Sequence, residues 1–417
     1  MTRSATLVLF PFLIAGAIAL ENGLARTPPM GWLSWQRYRC ITDCKNRPND
    51  CISEGLYKRM ADRLIADGYR DVGYEYVNVD DCWSLLERDN VTGRLVADPA
   101  RFPNGIAALA EYMHDRGLKL GIYGDAGTKT CGGYPGSEGY FDVDAQTFAE
   151  WGVDMLKLDG CYLDTDAMAD VYPKMTRALN ETGRPILYSC SWPAYLIGKK
   201  LDYESIQEHC NIWRNFNDID DAWTSVKSII DFYKTNQRTF VQVAKPGAFH
   251  DPDMLIIGNF GLSLDQARVQ MALWAIFASP LLMSNDLEKI GRAEREILLN
   301  RHVIAVNQDS DGIMGSMVEK SGDFEVYSRP VRPNRKPSTS RVFAIMNRVE
   351  GGAPSPYTLC ASDQLGLSSG RGYYVTDLFA NNRLIGVLRP GDNLTVEVNP
   401  SGVVLLKATL IDADSEQ

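Results

Sequence analysis

Gly152-Val153-Asp154-Met155-Leu156-Lys157-Leu158-Asp159 runs from a helix-stopping glycine through a short apolar strand into a carboxylate. The same order recurs between about residues 30 and 300. Leu56, Met60 and Leu64 lie at i, i+4 and i+8 on one helix face, and Gly68 stands where that helix would stop. Tyr74 to Val79 then reads as a strand ending in Asp80-Asp81. Asn104 is placed to cap a helix carrying Ile106, Leu109 and Met113, Gly117 stops it, and Leu118 to Tyr123 leads to Asp125. Gly183 closes another helix before Ile186 to Ser189 and Cys190. Strands alternating with helices at this spacing predict parallel βα units. A doubly wound sheet and a (β/α)8 barrel share that signature. No glycine-rich phosphate loop follows the first strand, and polar residues gather at many strand ends, so the expectation is a (β/α)8 TIM barrel over 20–310.

Beyond about residue 310 the texture changes. Phe324 to Tyr327, Arg341 to Met346, Tyr373 to Leu378 and Asn393 to Val398 read as short strands separated by Gly, Pro, Asn and Ser. Leu394, Val396 and Val398 alternate with polar neighbours, the period of a half-buried strand. These features predict an antiparallel β-sandwich domain over 311–417, with Pro330 to Ser340 as an exposed loop. At the other end, Arg3 precedes an apolar run from Ala5 to Ala19 that finishes in Ala17-Ile18-Ala19, so residues 1–19 are expected to be a cleaved signal peptide. Pro11 and Gly16 interrupt that run, and no later stretch is long and apolar enough to span a bilayer.

The chain has nine cysteines, at 40, 44, 51, 82, 131, 161, 190, 210 and 360, with only Cys360 apart from the rest. An even cluster behind a leader suggests disulfides and one leftover thiol. Sequons at Asn90, Asn180 and Asn393 suit a glycosylated product of the secretory pathway, lysosomal or extracellular. The formal net charge of -10 argues against a nucleic-acid partner or an anionic membrane, and a neutral substrate fits it better.

Chemistry-bearing side chains stand where strands end: Trp32 and Trp35 at the first, Asp80 and Asp81 at the second, and Tyr123 and Asp125 at the third. Lys157 and Asp159 follow at the fourth, Trp192 and Tyr195 at the fifth, Arg214 and Asp218 at the sixth, and Asp251 and Asp253 near the seventh. Carboxylates, cations and aromatic rings together suit a sugar pocket. Rings cover a pyranose face while charged groups hold its hydroxyls. Lys157 and Asp159, two apart on a strand, share a face, and a nearby ammonium favours the ionised carboxylate that a nucleophile needs. A structural ion pair is the plainer reading. Asp218 lies among Asp220 and Asp221, and crowded like charges raise a carboxyl pKa, which suits a general acid. One of Asp220 and Asp221 is expected to cap the helix before Ala222-Trp223. No acidic run matches a calcium-loop spacing, so no metal is expected.

Pro29-Met30-Gly31-Trp32, Asp80-Asp81-Cys82-Trp83, Lys157-Leu158-Asp159-Gly160-Cys161, Trp213-Arg214-Asn215-Phe216 and Asp251-Pro252-Asp253-Met254 resemble glycoside hydrolase family 27. The resemblance runs from Leu20 to about Asn307 and more loosely beyond. It implies a (β/α)8 barrel with an antiparallel β domain, a retaining glycosidase, a homodimer and no cofactor. By that resemblance Asp159 is the nucleophile and Asp218 the acid/base. Trp35, Asp80, Asp81, Tyr123, Lys157, Tyr195, Arg214 and Asp253 would line the sugar pocket. The implied disulfides are 40–82, 44–51, 131–161 and 190–210. Ser191 and Ala194, in Cys190-Ser191-Trp192-Pro193-Ala194-Tyr195, match the family's α-N-acetylgalactosaminidases, whereas its α-galactosidases resemble Cys-Glu-Trp-Pro-Leu-Tyr. Two small side chains leave room for an N-acetyl group, which the serine can hydrogen-bond. The implied partner is a glycoconjugate ending in α-N-acetylgalactosamine or, more weakly, α-galactose. The alternatives are an enzyme acting mainly on α-galactose and, in another class, a secreted sugar-binding protein without turnover.

Overall fold

The structure, a computed structural model, describes residue 20, residues 22–335 and residues 338–411; the expected leader of residues 1–19 lies outside them. Eight parallel strands form one sheet: β1 (Met30–Leu33), β2 (Tyr76–Asn78), β3 (Lys119–Asp125), β4 (Met155–Asp159), β5 (Leu187–Cys190), β6 (Ile212–Arg214), β7 (Phe249–Asp251) and β8 (Leu281–Met283). Their order is β7-β6-β5-β4-β3-β2-β1-β8. The seam between β7 and β8 is closed just past β7, where Leu255 bridges Met283 in parallel and its N–H donates to the Leu282 carbonyl at 2.8 Å. The result is a closed (β/α)8 barrel.

Among the described residues ten α-helices accompany the strands: α1 (Trp35–Tyr38), α2 (Glu54–Ala66), α3 (Gly105–His114), α4 (Phe141–Glu150), α5 (Met168–Glu181), α6 (Tyr203–His209), α7 (Trp223–Val243), α8 (Leu264–Ile276), α9 (Arg292–Leu298) and α10 (Arg301–Asn307). In α2 the Ser53 hydroxyl accepts the Leu56 N–H. Leu56, Met60 and Leu64 are buried on the inner face, and Gly68 takes the left-handed turn that ends the helix at φ +80°. β4 begins at Met155, later than the apolar run suggests. Asp154 is used instead to stitch neighbouring strands, accepting the Leu120 N–H and pairing with His114 and Arg184.

Two helix starts differ from the sequence reading. Asn104 sits at the N-cap of α3 but makes no capping bond; its amide donates to the Glu54 carboxylate at 3.0 Å and 3.2 Å. The N-cap of α7 is Ala222, without a side-chain bond. Asp221 instead accepts the N–H groups of Phe260 and Gly261, and Asp220 pairs with Arg39. Both aspartates have partners outside their own helix, so capping is lost to longer-range contacts.

The remaining strands are β9 (Ser316–Ser321), β10 (Phe324–Arg335), β11 (Ser338–Asn347), β12 (Ser355–Cys360), β13 (Tyr373–Asp377), β14 (Arg383–Leu388), β15 (Asn393–Val398) and β16 (Val403–Leu410). They form an antiparallel six-stranded sheet, β14-β13-β16-β11-β10-β9, faced by the pair β12-β15. The described residues of the expected loop Pro330 to Ser340 are strand instead, because β10 and β11 stay paired from Pro330↔Arg341 to Arg335↔Ser338 with a register shift between Val331 and Asn334; residues 336 and 337 lie outside the described residues. β9 pairs with β10 only as far as Ser328, so Pro330 and Pro333 sit on a free edge where no ladder N–H is needed.

The sheet serves two cores. On β11, Val342, Ala344 and Met346 pack into the barrel's core, while Phe343 and Ile345 pack toward β12-β15. α8 lies between barrel and sheet, in contact with β10, β11 and β16, and its residues from Val269 to Ile276 are all buried. Buried Arg329 of β10 donates from Nη1 to the carbonyls of Ala275 at 2.7 Å and Val306 at 2.6 Å, clamping the C-terminal ends of α8 and α10. Disulfides join Cys40–Cys82, Cys44–Cys51, Cys131–Cys161 and Cys190–Cys210, and Cys360 is free. Asn90, Asn180 and Asn393 are exposed.

Candidate active site

A cavity of about 290 Å³ opens at the C-terminal ends of the barrel strands. Asp159 ends β4 at its floor. Its Oδ1 accepts from the Tyr195 hydroxyl at 2.6 Å and the Gly160 N–H at 3.0 Å, and its Oδ2 accepts from the Tyr123 hydroxyl at 3.1 Å. Three donors from three chain segments fix the direction of this carboxylate. Lys157 shares its face of β4, yet its direct ion pair is with Asp80, Nζ to Oδ2 at 2.7 Å. Burial opposes the ammonium, but the attraction of Asp80, Asp159 and Asp218 outweighs it and holds its pKa above the usual lysine value. On Asp159 the ammonium therefore acts through space.

Asp218 is held differently. Its Oδ1 accepts from Arg214 Nη2 at 3.0 Å and its Oδ2 from Trp35 Nε1 at 3.1 Å. The same Arg214 nitrogen reaches Asp253 Oδ2 at 3.1 Å. Burial pushes the Asp218 carboxyl up, but Arg214, Lys157 and the two hydrogen bonds dominate and hold it at about 2. That corrects the raised value inferred from crowding. Asp220 and Asp221 turn away to Arg39 and to the Phe260-Gly261 backbone, so Asp218 meets Arg214 and Lys157 in place of those two acids.

Of the expected pocket residues, Trp35, Asp80, Tyr123, Asp159, Ser191, Ala194, Tyr195, Arg214 and Asp218 line the cavity. Asp81, Lys157 and Asp253 stand behind the wall. Asp81 accepts the Gly132 N–H at 2.7 Å beside the Cys131–Cys161 disulfide, and Asp253 accepts the Ile219 N–H at 2.8 Å beside Asp218. Trp32 and Trp192, also at strand ends, face the core, where Trp192 stacks on Tyr172. Phe216, Asn217 and the Cys131–Cys161 disulfide line the cavity without having been assigned to it. Their nearness to Arg214 and Asp159 in the chain was the available signal.

Asp125, at the end of β3, is paired in register with Asp159 and buried. Burial and the Asp159 charge push it up to about 9, against the Gly127 and Cys161 N–H groups that it accepts. Among the described residues one group of potential metal ligands is close enough to share an ion: Asp125, Cys131 and Cys161. Both sulfurs are joined in a disulfide, so the group offers no thiolate.

Residues 27–309 match the sequence family described as alpha galactosidase A, and residues 312–402 match its C-terminal beta sandwich domain. The chain belongs to glycoside hydrolase family 27. This family 27 chain is 54% identical to the alpha-N-acetylgalactosaminidase of Gallus gallus over 93% of its own length and 94% of that protein. It is 50% identical to alpha-galactosidase A of Homo sapiens, over 96% and 93%. Among solved structures, alpha-galactosidase I from Mortierella vinacea superposes with a TM-score of 0.82 at 34% identity, covering 93% of this chain and 98% of that one. The chain is an enzyme, a glycoside hydrolase, and its family 27 barrel carries the cavity described above.

Proposed function

We propose that this hydrolase is a retaining exo-glycosidase that removes terminal α-linked N-acetylgalactosamine, and more weakly α-galactose, from glycolipids, glycoproteins or oligosaccharides. The observation that carries this reading is a pair of oppositely equipped carboxylates on one small cavity. Asp159 is aimed by two tyrosines, and Asp218 is gripped by an arginine and an indole. Asp218 protonates the glycosidic oxygen as Asp159 attacks the anomeric carbon; the aglycone leaves as an alcohol and a glycosyl ester forms. Water then gives its proton to Asp218 and its oxygen to the anomeric carbon, which frees Asp159. Ser191 and Ala194 border the cavity with small side chains, leaving space for an acetamido group at the sugar's 2-position. The disulfides and the three exposed sequons support the secretory pathway with a cleaved leader; a lysosomal destination and a homodimer as the working assembly rest on the resemblance to family 27 alone. No described helix is long and apolar enough to cross a membrane.

Aryl α-N-acetylgalactosaminide and α-galactoside substrates test the reading. The first should show the higher kcat/KM, and Ser191→Glu with Ala194→Leu should reverse that order. An α-galactosidase main activity is the second reading, favoured by the α-galactosidase relatives, and it predicts the opposite order in the wild type. Turnover of neither substrate would leave a sugar-binding protein. Asp159→Asn should lower kcat by roughly 10⁴-fold while sugar binding persists.

A further inference from the structure

His250 of β7 takes part in no step above. It is fully buried and points into the helix layer, where its ring stacks on Phe240 of α7 at 4.2 Å between centroids and meets Tyr203 of α6 edge-on at 5.5 Å. Two groups converge on its Nδ1: Trp213 Nε1 at 2.8 Å and Asn215 Nδ2 at 2.9 Å. An indole N–H can only donate, so Nδ1 carries no proton. Nε2–H is left to donate to the Phe240 carbonyl at 3.1 Å. The partners thus dictate the tautomer. Trp213 and Asn215 are the two neighbours of Arg214 in the chain, and the register sets Trp213 opposite His250 and Arg214 opposite Asp251. Asn215 is pinned on its other side as well, its Oδ1 accepting the Tyr203 hydroxyl at 2.8 Å.

We infer that His250 is a positioning residue for the acid/base: as a neutral ring protonated on Nε2, it locks both flanks of Arg214 and so fixes the guanidinium that grips Asp218. The inference rests on the reading of Asp218 as the acid/base. β6 is three residues long, so few ladder bonds hold its end, and the side chains of Trp213 and Asn215 must supply the rest. Facing the ring are Tyr203 from α6, Tyr233 and Phe240 from α7, Trp213 from β6 and Asn215 just after that strand; Arg214 and Asp251 lie on the strands beside it. No carboxylate hydrogen-bonds the ring among the described residues. A proton on Nδ1 would set a donor against two donors. Burial keeps the ring neutral, depressing its pKa to about 3, with the bond to the Phe240 carbonyl opposing.

The test uses the full-length enzyme. His250→Phe keeps a ring for the Phe240 stack and deletes the acceptor, whereas His250→Asn returns an acceptor oxygen near the Nδ1 position. The pH profile of kcat/KM is measured for both and for Asp218→Asn, on an alkyl and an activated aryl glycoside. The limb of the wild-type profile that is missing in Asp218→Asn should move up by about one pH unit or more in His250→Phe, because a loosened Arg214 no longer holds Asp218 down. kcat/KM should fall on the order of ten- to a hundredfold, and His250→Asn should restore both. A His250→Phe enzyme with the wild-type profile, whatever its melting temperature, overturns the inference. Full activity in Asp218→Asn sinks the acid/base reading instead, so the two failures are distinct. Should His250→Phe not fold, nitrogen NMR of the wild type, which has four histidines, decides the matter. A bare Nδ1 and a protonated Nε2 are expected down to about pH 4; an Nδ1–H tautomer or a charged ring there overturns the inference.

Discussion

Arg214 sets the proton affinity of Asp218 by placing one nitrogen between it and Asp253. With its pKa held at about 2, Asp218 begins the cycle ionised at ordinary pH and must gain its proton as a bound sugar displaces water. The protonated form is lost as pH rises. Hydrolysis of an alkyl α-glycoside, which needs that proton, should therefore decline with rising pH, while a dinitrophenyl glycoside, with a self-sufficient leaving group, should decline far less. Parallel kcat/KM profiles for the two substrates check this. Asp159 was legible in the sequence because period-two alternation put it on the face of Lys157 at a strand end. The proton affinity of Asp218 was not legible, since sequence shows that Asp220 and Asp221 are near but not where they turn. His250 was hidden for a related reason: one histidine between Phe249 and Asp251 on a three-residue strand shows nothing of the partners its ring will meet.

Among the elements, α8 depends most on its start, because from Val269 to Ile276 every side of the helix is buried and only the residues before Val269 reach solvent. Ser263 and Gln266 form a reciprocal capping box there. Ser263→Ala should cost about 1 kcal/mol, read from the denaturation midpoint. β11 carries alternate residues into two cores, so Phe343→Ala should cost roughly 3–5 kcal/mol and loosen the β12-β15 pair first, visible as faster amide exchange there. Periodicity made most elements legible. β15 occupies Asn393–Val398, the stretch whose alternation marked it, and Gly68 ends α2. The hairpin of β10 and β11 was obscured because proline and serine at a free sheet edge look like a loop until their pairing partners are known.

At the scale of the molecule, buried titratable groups oppose one another across the pH range. His250, depressed to about 3, contributes stability that is complete above its unfolded value near 6.5 and is lost as pH falls from there. Asp251, raised to about 6, and Asp125, raised to about 9, are native-protonated, so each loses stability as pH rises from about 4 towards its folded value. Between pH 4 and 6 the histidine and the acids offset one another. Above 6.5 only Asp125 of these three still changes, so thermal unfolding should move to lower temperature between pH 7 and 9. Scans at pH 5, 7 and 9 check the sign. The double-sided burial of α8, with Arg329 clamped onto two helix ends, also bears on protein engineering. A chain cut after Gln308 would leave α8 wet along its outer side and strip the clamp from α8 and α10, so the isolated barrel should precipitate on expression. Anyone fusing this catalytic unit to another module would have to carry the sheet along, as the lid of a box whose contents spoil in water.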